Sequence, residues 1–267
     1  MVQDIGANLD LNVENNSKSY NVIVRICDAW LSYDGKAYVL NGINICVRRK
    51  MNYVIVGPSG SGKSTLLKLI NGMVVPSKGL VQVLDTCPNH MDKSFNHLSS
   101  KIGYIPQSLG LVKNSSVLEN VLIGALPRLG QLKSIIVGFP EYEINKAISA
   151  LEMVGLSGKE RRKAYMLSGG EKRRVAIARA LVQEPEILLA DEIVSELDHS
   201  TAIGIMELIM KTGRRLKTTS IMIHHDIELA LDYADVIIML KDGNKIGEAR
   251  TDEIKQEEVL AKLGSYY

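Results

Sequence analysis

The sequence predicts an α/β fold: a strand-rich core with a small antiparallel β part near the start of the chain and a helical block set into its middle. Three observations carry this reading. Short β-branched runs (NYVIVG, EILLAD, TTSIMIHH, DVIIMLKDG) have the continuous apolar character of strands buried on both faces of a sheet. The first patterned stretch instead alternates apolar and polar residues, as a sheet with one open face requires. Between about Gln107 and Gln183 the periodicity becomes helical.

Taken in order, residues 1–20 are polar and Asn-rich, with no basic start followed by an apolar run. They are expected to form an N-terminal extension without chemistry, not a secretion signal. NVIVRICDAWLSYDGKAYVLNGINICVRR reads as antiparallel strands with turns at Gly35 and Gly42. NYVIVG is a buried strand, Lys63–Asn71 is helical, and Gly72 falls at its C-terminal cap. GLVQVLD and KIGYIP are further strands. VLENVLIGAL, EYEINKAISALEMVG and EKRRVAIARALVQ form the helical block, and EILLAD, TTSIMIHH and DVIIMLKDG return to the sheet. One domain over 21–267, with 108–183 inserted as a helical subdomain, is the expected organisation; 267 residues lie within the reach of a single core, about 250–300.

Composition narrows the function. Lys and Arg number 32 against 30 Asp and Glu, a net charge of +2, so there is no global field for nucleic acid or anionic lipid. Cys27, Cys46 and Cys87 are scattered without metal-type spacing and build neither a disulfide framework nor a zinc site, which suits a reducing compartment. No apolar run approaches the roughly 20 residues that span a bilayer. The chain is expected to be soluble, or peripheral to a membrane through another subunit.

Gly57-Pro58-Ser59-Gly60-Ser61-Gly62-Lys63-Ser64 satisfies G-x-x-x-x-G-K-[ST] between a predicted strand and a predicted helix, the context this pattern requires. Glycines let the backbone curl so that successive N–H groups converge on a phosphate. The helix start adds the positive end of its dipole, Lys63 supplies a full charge, and Ser64 offers a hydroxyl to Mg²⁺. A nucleoside triphosphate is the expected ligand. The loop alone does not separate kinases, GTPases, recombinase-like motors and transport ATPases.

Downstream residues do. Ile187–Glu192 (ILLADE) is an apolar strand ending in two acids: Asp191 can hold Mg²⁺ and Glu192 can polarise an attacking water, although in isolation the pair could be solvated acids at a strand end. Shortly before it, Leu167-Ser168-Gly169-Gly170-Glu171 leads into a helix. Ser168 and Glu171 have capping-box spacing, and Gly169 and Gly170 leave backbone N–H groups bare at the positive end of that helix, where a phosphate can sit. A GTPase would want N-K-x-D, and neither Asn145-Lys146 nor Asn244-Lys245 supplies the aspartate. His224 and His225 close an apolar strand; alternation along a strand would send them to opposite faces, against a shared metal. Lys172, Arg173 and Arg174 read as a solvated helix face.

With these motifs in this order, the chain resembles an ABC transporter ATP-binding subunit over residues 21–250. The resemblance implies a P-loop NTPase (RecA-like) core, an antiparallel β subdomain and an inserted helical signature subdomain, with ATP and Mg²⁺ as cofactors. It assigns Gly57–Ser64, with Thr65, to the phosphate loop and Tyr33 to stacking on adenine. Ser64, Gln107 and Asp191 go to Mg²⁺, Glu192 to the attacking water, and His225 to the γ-phosphate. Ser168, Gly169, Gly170 and Glu171 are the signature, which faces the nucleotide of a second copy, and Ser195-Glu196-Leu197-Asp198 lies at the seam between copies. Lys63, Glu192 and His225 would be the catalytic groups. Implied partners are a second copy, integral membrane permease subunits and an extracytoplasmic binding protein, at the cytoplasmic face of the membrane; nucleic acid is not among them.

Three positions depart from the family's usual residues. Glu171 stands for glutamine and brings a carboxylate toward the partner's nucleotide, unless it turns inward as the capping acid. Ile193 replaces proline and leaves the backbone after Glu192 less restricted, and Glu196 adds charge at the seam. The stretches LGLVKNSSVLENVLIGALPRLGQLKSIIVGFP, LADEIVSELD and HHDIELALDYADVIIML resemble phosphonate-type import ATPases, and Leu132, Ile135, Ile136, Val137 and Phe139 are expected to face a membrane partner. Two other classes stand beside import: an ATPase of an export or lipoprotein-release system, and a non-transport ABC ATPase.

Overall fold

The computed structural model describes residues 21–89, 94–129, 138–194 and 197–264. Its strands are β1 (Val22–Leu31), β2 (Leu40–Arg48), β3 (Asn52–Val56), β4 (Lys78–Val83), β5 (Ile102–Ile105), β6 (Ile187–Asp191), β7 (Thr219–Ile223), β8 (Val236–Lys241) and β9 (Asn244–Arg250). The helices are α1 (Lys63–Ile70), α2 (Ser94–Ser99), α3 (Val117–Leu122), α4 (Leu126–Leu129), α5 (Glu141–Met153), α6 (Gly169–Leu181), α7 (His199–Leu216), α8 (Ile227–Tyr233) and α9 (Gln256–Leu263).

The apolar runs build a six-stranded sheet in the order β5-β6-β7-β3-β8-β9. Its first five strands are parallel, and β9 is an antiparallel edge. Alternate residues feed two cores. Tyr53, Ile55, Leu189, Ile221 and Ile238 pack with α1 and the small sheet, while Val54, Val56, Leu188, Met222 and Ile237 pack with the helices on the other face. Each such side chain, taken fully out of water, contributes about 1.5–3 kcal/mol before entropy is counted. That is why these strands show no polar alternation.

The small sheet is antiparallel, β2-β1-β4. Gly35 lies in the β1–β2 connection as expected, but Gly42 lies inside β2 and not at a turn. Leu40 pairs with Leu31 and Ile43 with Ala29, so Asn41 and Gly42 together oppose Trp30 alone: Gly42 occupies a bulge. Helices α3, α5 and α6 pack on one another and share an apolar cluster with β3, β6 and α7, so the helical block has no separate core. Both α3 and α6 begin on complete capping boxes, Ser116/Glu119 and Ser168/Glu171.

Phe139 is half-buried against the main core. Leu132, Ile135, Ile136, Val137, Ser195, Glu196 and residues 1–20 lie outside the described residues. Among the described residues no helix is long and apolar enough to cross a membrane.

Candidate functional site

Strand β3 is central, flanked by β7 and β8, and the chain leaves its carboxyl end directly into the Gly57–Ser64 loop and α1. Crevices at the carboxyl ends of parallel strands, where connections part to either side, are the usual ligand sites of such sheets. Backbone packing fixes the loop. Gly57 has φ +155°, and a Cβ there would lie 2.0 Å from the Leu240 carbonyl oxygen, so only glycine fits beside β8. Gly60, at φ +80°, faces open space.

Above the loop lies a cavity of ≈ 340 Å³, lined by Ser59, Gly60 and Gly62 to Thr65 and closed by Val39, Gln107 and Glu192. Lys63 is buried at its base and donates to the carbonyl oxygens of Gly57 and Pro58, both at 2.8 Å. Burial lowers its pKa, against the opposing charges of Glu192 and Asp191. Ser64 Oγ donates to Asp191 Oδ1 at 2.9 Å, and Gln107 Nε2 donates to Glu192 Oε2 at 3.1 Å. Burial raises the Asp191 pKa, the Ser64 hydrogen bond lowers it, and Glu192 beside it raises it further. The Ser61 hydroxyl is buried in the loop without a hydrogen-bond partner. Tyr33 is 60% exposed, and its hydroxyl reaches Thr65 Oγ1 at 3.5 Å, which sets its ring at the mouth of the loop.

Ser64 and Asp191 therefore bring two oxygen atoms together beneath the cavity, and Gln107 on its wall carries a third, hard donors of the kind that suits Mg²⁺. No group of three His, Cys, Asp or Glu side chains among the described residues could hold a metal alone. Mg²⁺ characteristically takes one or two carboxylates and completes its shell with water and substrate phosphate. The donor set fits an ion that arrives with a triphosphate.

A second constellation stands apart. Ser168 caps α6: its Oγ accepts from the Glu171 N–H at 3.3 Å, and Glu171 Oε2 accepts from the Ser168 N–H at 2.9 Å. Lys159 pairs with the other Glu171 oxygen and is the main cause holding that carboxyl below its ordinary range. Of the two orientations open from sequence, Glu171 takes the inward one. A Cβ on Gly170 would sit 3.4 Å from Thr201 Cγ2, so this tip adjoins the start of α7. Asp198 caps that helix, accepting from the Thr201 N–H at 3.0 Å and from Ser200 Oγ at 2.6 Å; these bonds, Ser200 first, bring its pKa to about 2. None of these residues lines the loop cavity.

His225 is exposed and His224 buried. Strand β7 ends at Ile223, so strand alternation does not govern the pair: the two rings stack 5.3 Å apart at 16° instead of pointing to opposite faces. The Asp226 N–H donates to His224 Nδ1 at 2.9 Å, and burial lowers the His224 pKa.

The chain matches the family model described as ABC transporter over residues 40–195, more than half its length. The chain belongs to the ABC transporter family. It is an ATPase with the α/β fold of that family. Among curated relatives of this ABC ATPase, the phosphonates import ATP-binding protein PhnC 1 of Nostoc sp. is 36% identical over 91% of this chain and 93% of its own. PhnC of Nitratidesulfovibrio vulgaris is 39% identical over 78% and 79%. In three dimensions the ATPase is similar to CbiO1 of Clostridium perfringens, part of the ABC transporter complex CbiONQ, with TM-score 0.79 and 30% identity over 91% of this chain and 94% of that one. It is also similar to a dimeric ATP-binding cassette in a post-hydrolysis state bound to ADP and Pi, with TM-score 0.74 and 32% identity over 86% and 99%.

Sequence reasoning left out two groups of this ABC ATPase and misplaced a third. Val39, a cavity wall, carries no motif; its place between Tyr33 and β2 is the sole cue. Lys159 carried no signal before the fold placed it on Glu171. Two of the three cations at the start of α6 are tied to backbone and are not a solvated face: Arg173 donates through Nε to the Ile193 carbonyl, and Arg174 through Nη1 to the Val154 carbonyl at 2.9 Å.

Proposed function

We propose that this ATPase powers an importer of phosphonate or a related small oxyanion. Two copies would work at the cytoplasmic face of the membrane beneath permease subunits, with an extracytoplasmic binding protein delivering cargo. In this reading 21–267 is one ATPase domain whose helical part, 108–183, carries the signature. The cargo class rests on the phosphonate-import names of relatives that align over most of both chains. Dimeric action rests on one observation: the Ser168–Glu171 tip, a helix start suited to phosphate, contributes nothing to the cavity that holds the phosphate loop.

The chemistry follows from the geometry. Tyr33 stacks on adenine at the loop mouth, and the Ser59–Thr65 amides receive the phosphates. Lys63 exchanges its two carbonyl bonds for phosphate oxygens, whose charge compensates the desolvation of its ammonium. Ser64, Asp191 and Gln107 would hold Mg²⁺, which when bound neutralises charge on the β- and γ-phosphates. Glu192, oriented by Gln107, takes a hydrogen bond from the attacking water. His225 and the partner copy's Ser168–Glu171 tip enclose the γ-phosphate, with Asp198 at the seam. Glu192→Gln is expected to bind ATP, dimerise persistently and hydrolyse at least about 100-fold more slowly. Near-normal turnover, or a monomer under saturating Mg·ATP, overturns the site reading. For cargo, the ATPase reconstituted with its permease in vesicles should be stimulated by binding protein loaded with methylphosphonate. Stimulation that needs no binding protein would point to export.

A further inference from the structure

Two grips hold Glu192. Gln107 reaches its carboxylate at 3.1 Å, and Arg173 donates through Nε to the carbonyl of the next residue, Ile193. Glu192 needs the second grip because its backbone has φ +47°, a left-handed conformation that costs a non-glycine residue about 1–2 kcal/mol. Upstream it is tied to the sheet through Asp191, which pairs with Ile223. Downstream, Ile193 and Val194 are buried in the main core, and the guanidinium fixes the peptide between them. Arg173 sits one turn into α6, directly behind the Ser168–Glu171 tip, and its Nη1 also reaches the Gly169 carbonyl at 3.5 Å. One side chain thus bridges the first turn of the signature helix and the backbone of the residue that follows the acid.

We propose that Arg173 is a positioning residue that ties Glu192 to the signature tip of the same chain. The linkage rests on the reading above, in which that tip meets the ATP of a second copy. The tip and Glu192 then serve different nucleotides of one dimer. A shift of α6 when the tip closes on the partner's ATP is transmitted through the Ile193 carbonyl to the acid that works on this chain's own ATP. Hydrolysis at each site thereby senses occupancy of the other, as coupling between two sites through a shared element requires.

Arg173→Met keeps most of the apolar stem and removes the donors; Arg173→Lys keeps charge and one donor without the planar fork. With the full-length protein, Arg173→Met is expected to lower kcat at least about tenfold, as small misplacements of a reacting group do, with KM for ATP within about twofold. The Hill coefficient for ATP should fall from above 1 toward about 1, its two-site ceiling being about 2. Arg173→Lys should recover part of kcat, and the melting temperature should fall in Arg173→Met by no more than the few °C that one lost backbone hydrogen bond costs. Glu192→Gln/Arg173→Met should still dimerise on Mg·ATP. Wild-type kcat and Hill coefficient in Arg173→Met overturn the proposal. So does a kcat loss that follows a fall in melting temperature and is not relieved by Arg173→Lys. If Glu192→Gln itself fails to dimerise, the dimer reading fails instead.

Discussion

The phosphate loop offers a separation of folding from binding that two alanines can test. Gly57 does not line the cavity, and a Cβ there would lie 2.0 Å from Leu240 O, which belongs to the backbone of β8. An ordinary C···O contact is about 3.3 Å, so the loop or β8 must move by about 1.3 Å. β8 cannot yield alone, because Met239 is in register with Val56 at the end of β3. Backbone strain and overpacking together make the cost of Gly57→Ala about 3 kcal/mol or more. Gly60→Ala meets nothing within 4 Å, and at φ +80° it costs only the left-handed term, about 1–2 kcal/mol. At about 2–4 °C per kcal/mol, the melting temperature should fall by about 6–12 °C for Gly57→Ala and about 2–8 °C for Gly60→Ala. Nucleotide binding should rank the other way, because Gly60 lines the cavity while Gly57 does not. Calorimetric melting of the nucleotide-free protein and titration with ATP in EDTA read the two effects. Equal melting losses, or wild-type ATP affinity in Gly60→Ala, would refute the steric account.

Three further outcomes follow from other parts of the molecule. Tyr33→Ala should raise KM for ATP about 5- to 100-fold with little change in kcat, since stacking on a base contributes about 1–3 kcal/mol to binding; an unchanged KM removes Tyr33 from the adenine site. Arg128 holds the fully buried Glu143 at 2.6 Å, so Arg128→Met should cost about 3 kcal/mol by stranding that carboxylate, and Arg128→Met/Glu143→Gln should melt higher than the single variant. Asp198, with its pKa lowered from 3.8 to about 2, contributes its cap fully above pH 3.8 and loses it as pH falls toward 2. The melting difference between wild type and Asp198→Ala should therefore close over that window and stay constant above it.

What was legible in the sequence was whatever lies contiguous along the chain. The phosphate loop, the ILLADE strand and the S-G-G-E helix start each declare a local geometry, and each stands where its residue types require. Contacts between them were not legible, since nothing local joins Ser64 to Asp191 or Gln107 to Glu192; the parallel register of β5, β6, β7 and β3 brings them together. Strand β9 escaped although Asp242-Gly243, a strong hairpin dipeptide, announces it: its seven residues are mostly half-exposed and lack an apolar run. The opposite-face expectation for the histidine pair failed because alternation was extended two residues past the end of β7. Glu171 had two orientations by sequence, and Lys159, twelve residues earlier, decides between them.

The two adjacent acids show why a strained residue belongs at this point. Asp191 is the last residue of β6, buried, with its carboxylate on Ser64. Continued strand geometry would send the next side chain to the opposite face of the sheet, away from the loop. A left-handed φ at Glu192 instead turns the chain so that its carboxylate reaches Gln107 and lines the same cavity. Two carboxylates thus approach the loop from different directions, Asp191 through Ser64 and Glu192 from the cavity wall. Proline at 193 would bias the preceding residue toward extended backbone. That bias would oppose the left-handed turn at Glu192; isoleucine imposes none, and the turn is held by burial of Ile193 and Val194 in the core and by the Arg173 bond to the Ile193 carbonyl. Isoleucine at 193 thus permits the left-handed Glu192 that proline would disfavour, and core packing together with the Arg173 bond holds it, which is the physical reason the departure at 193 and the cation at 173 belong to one device.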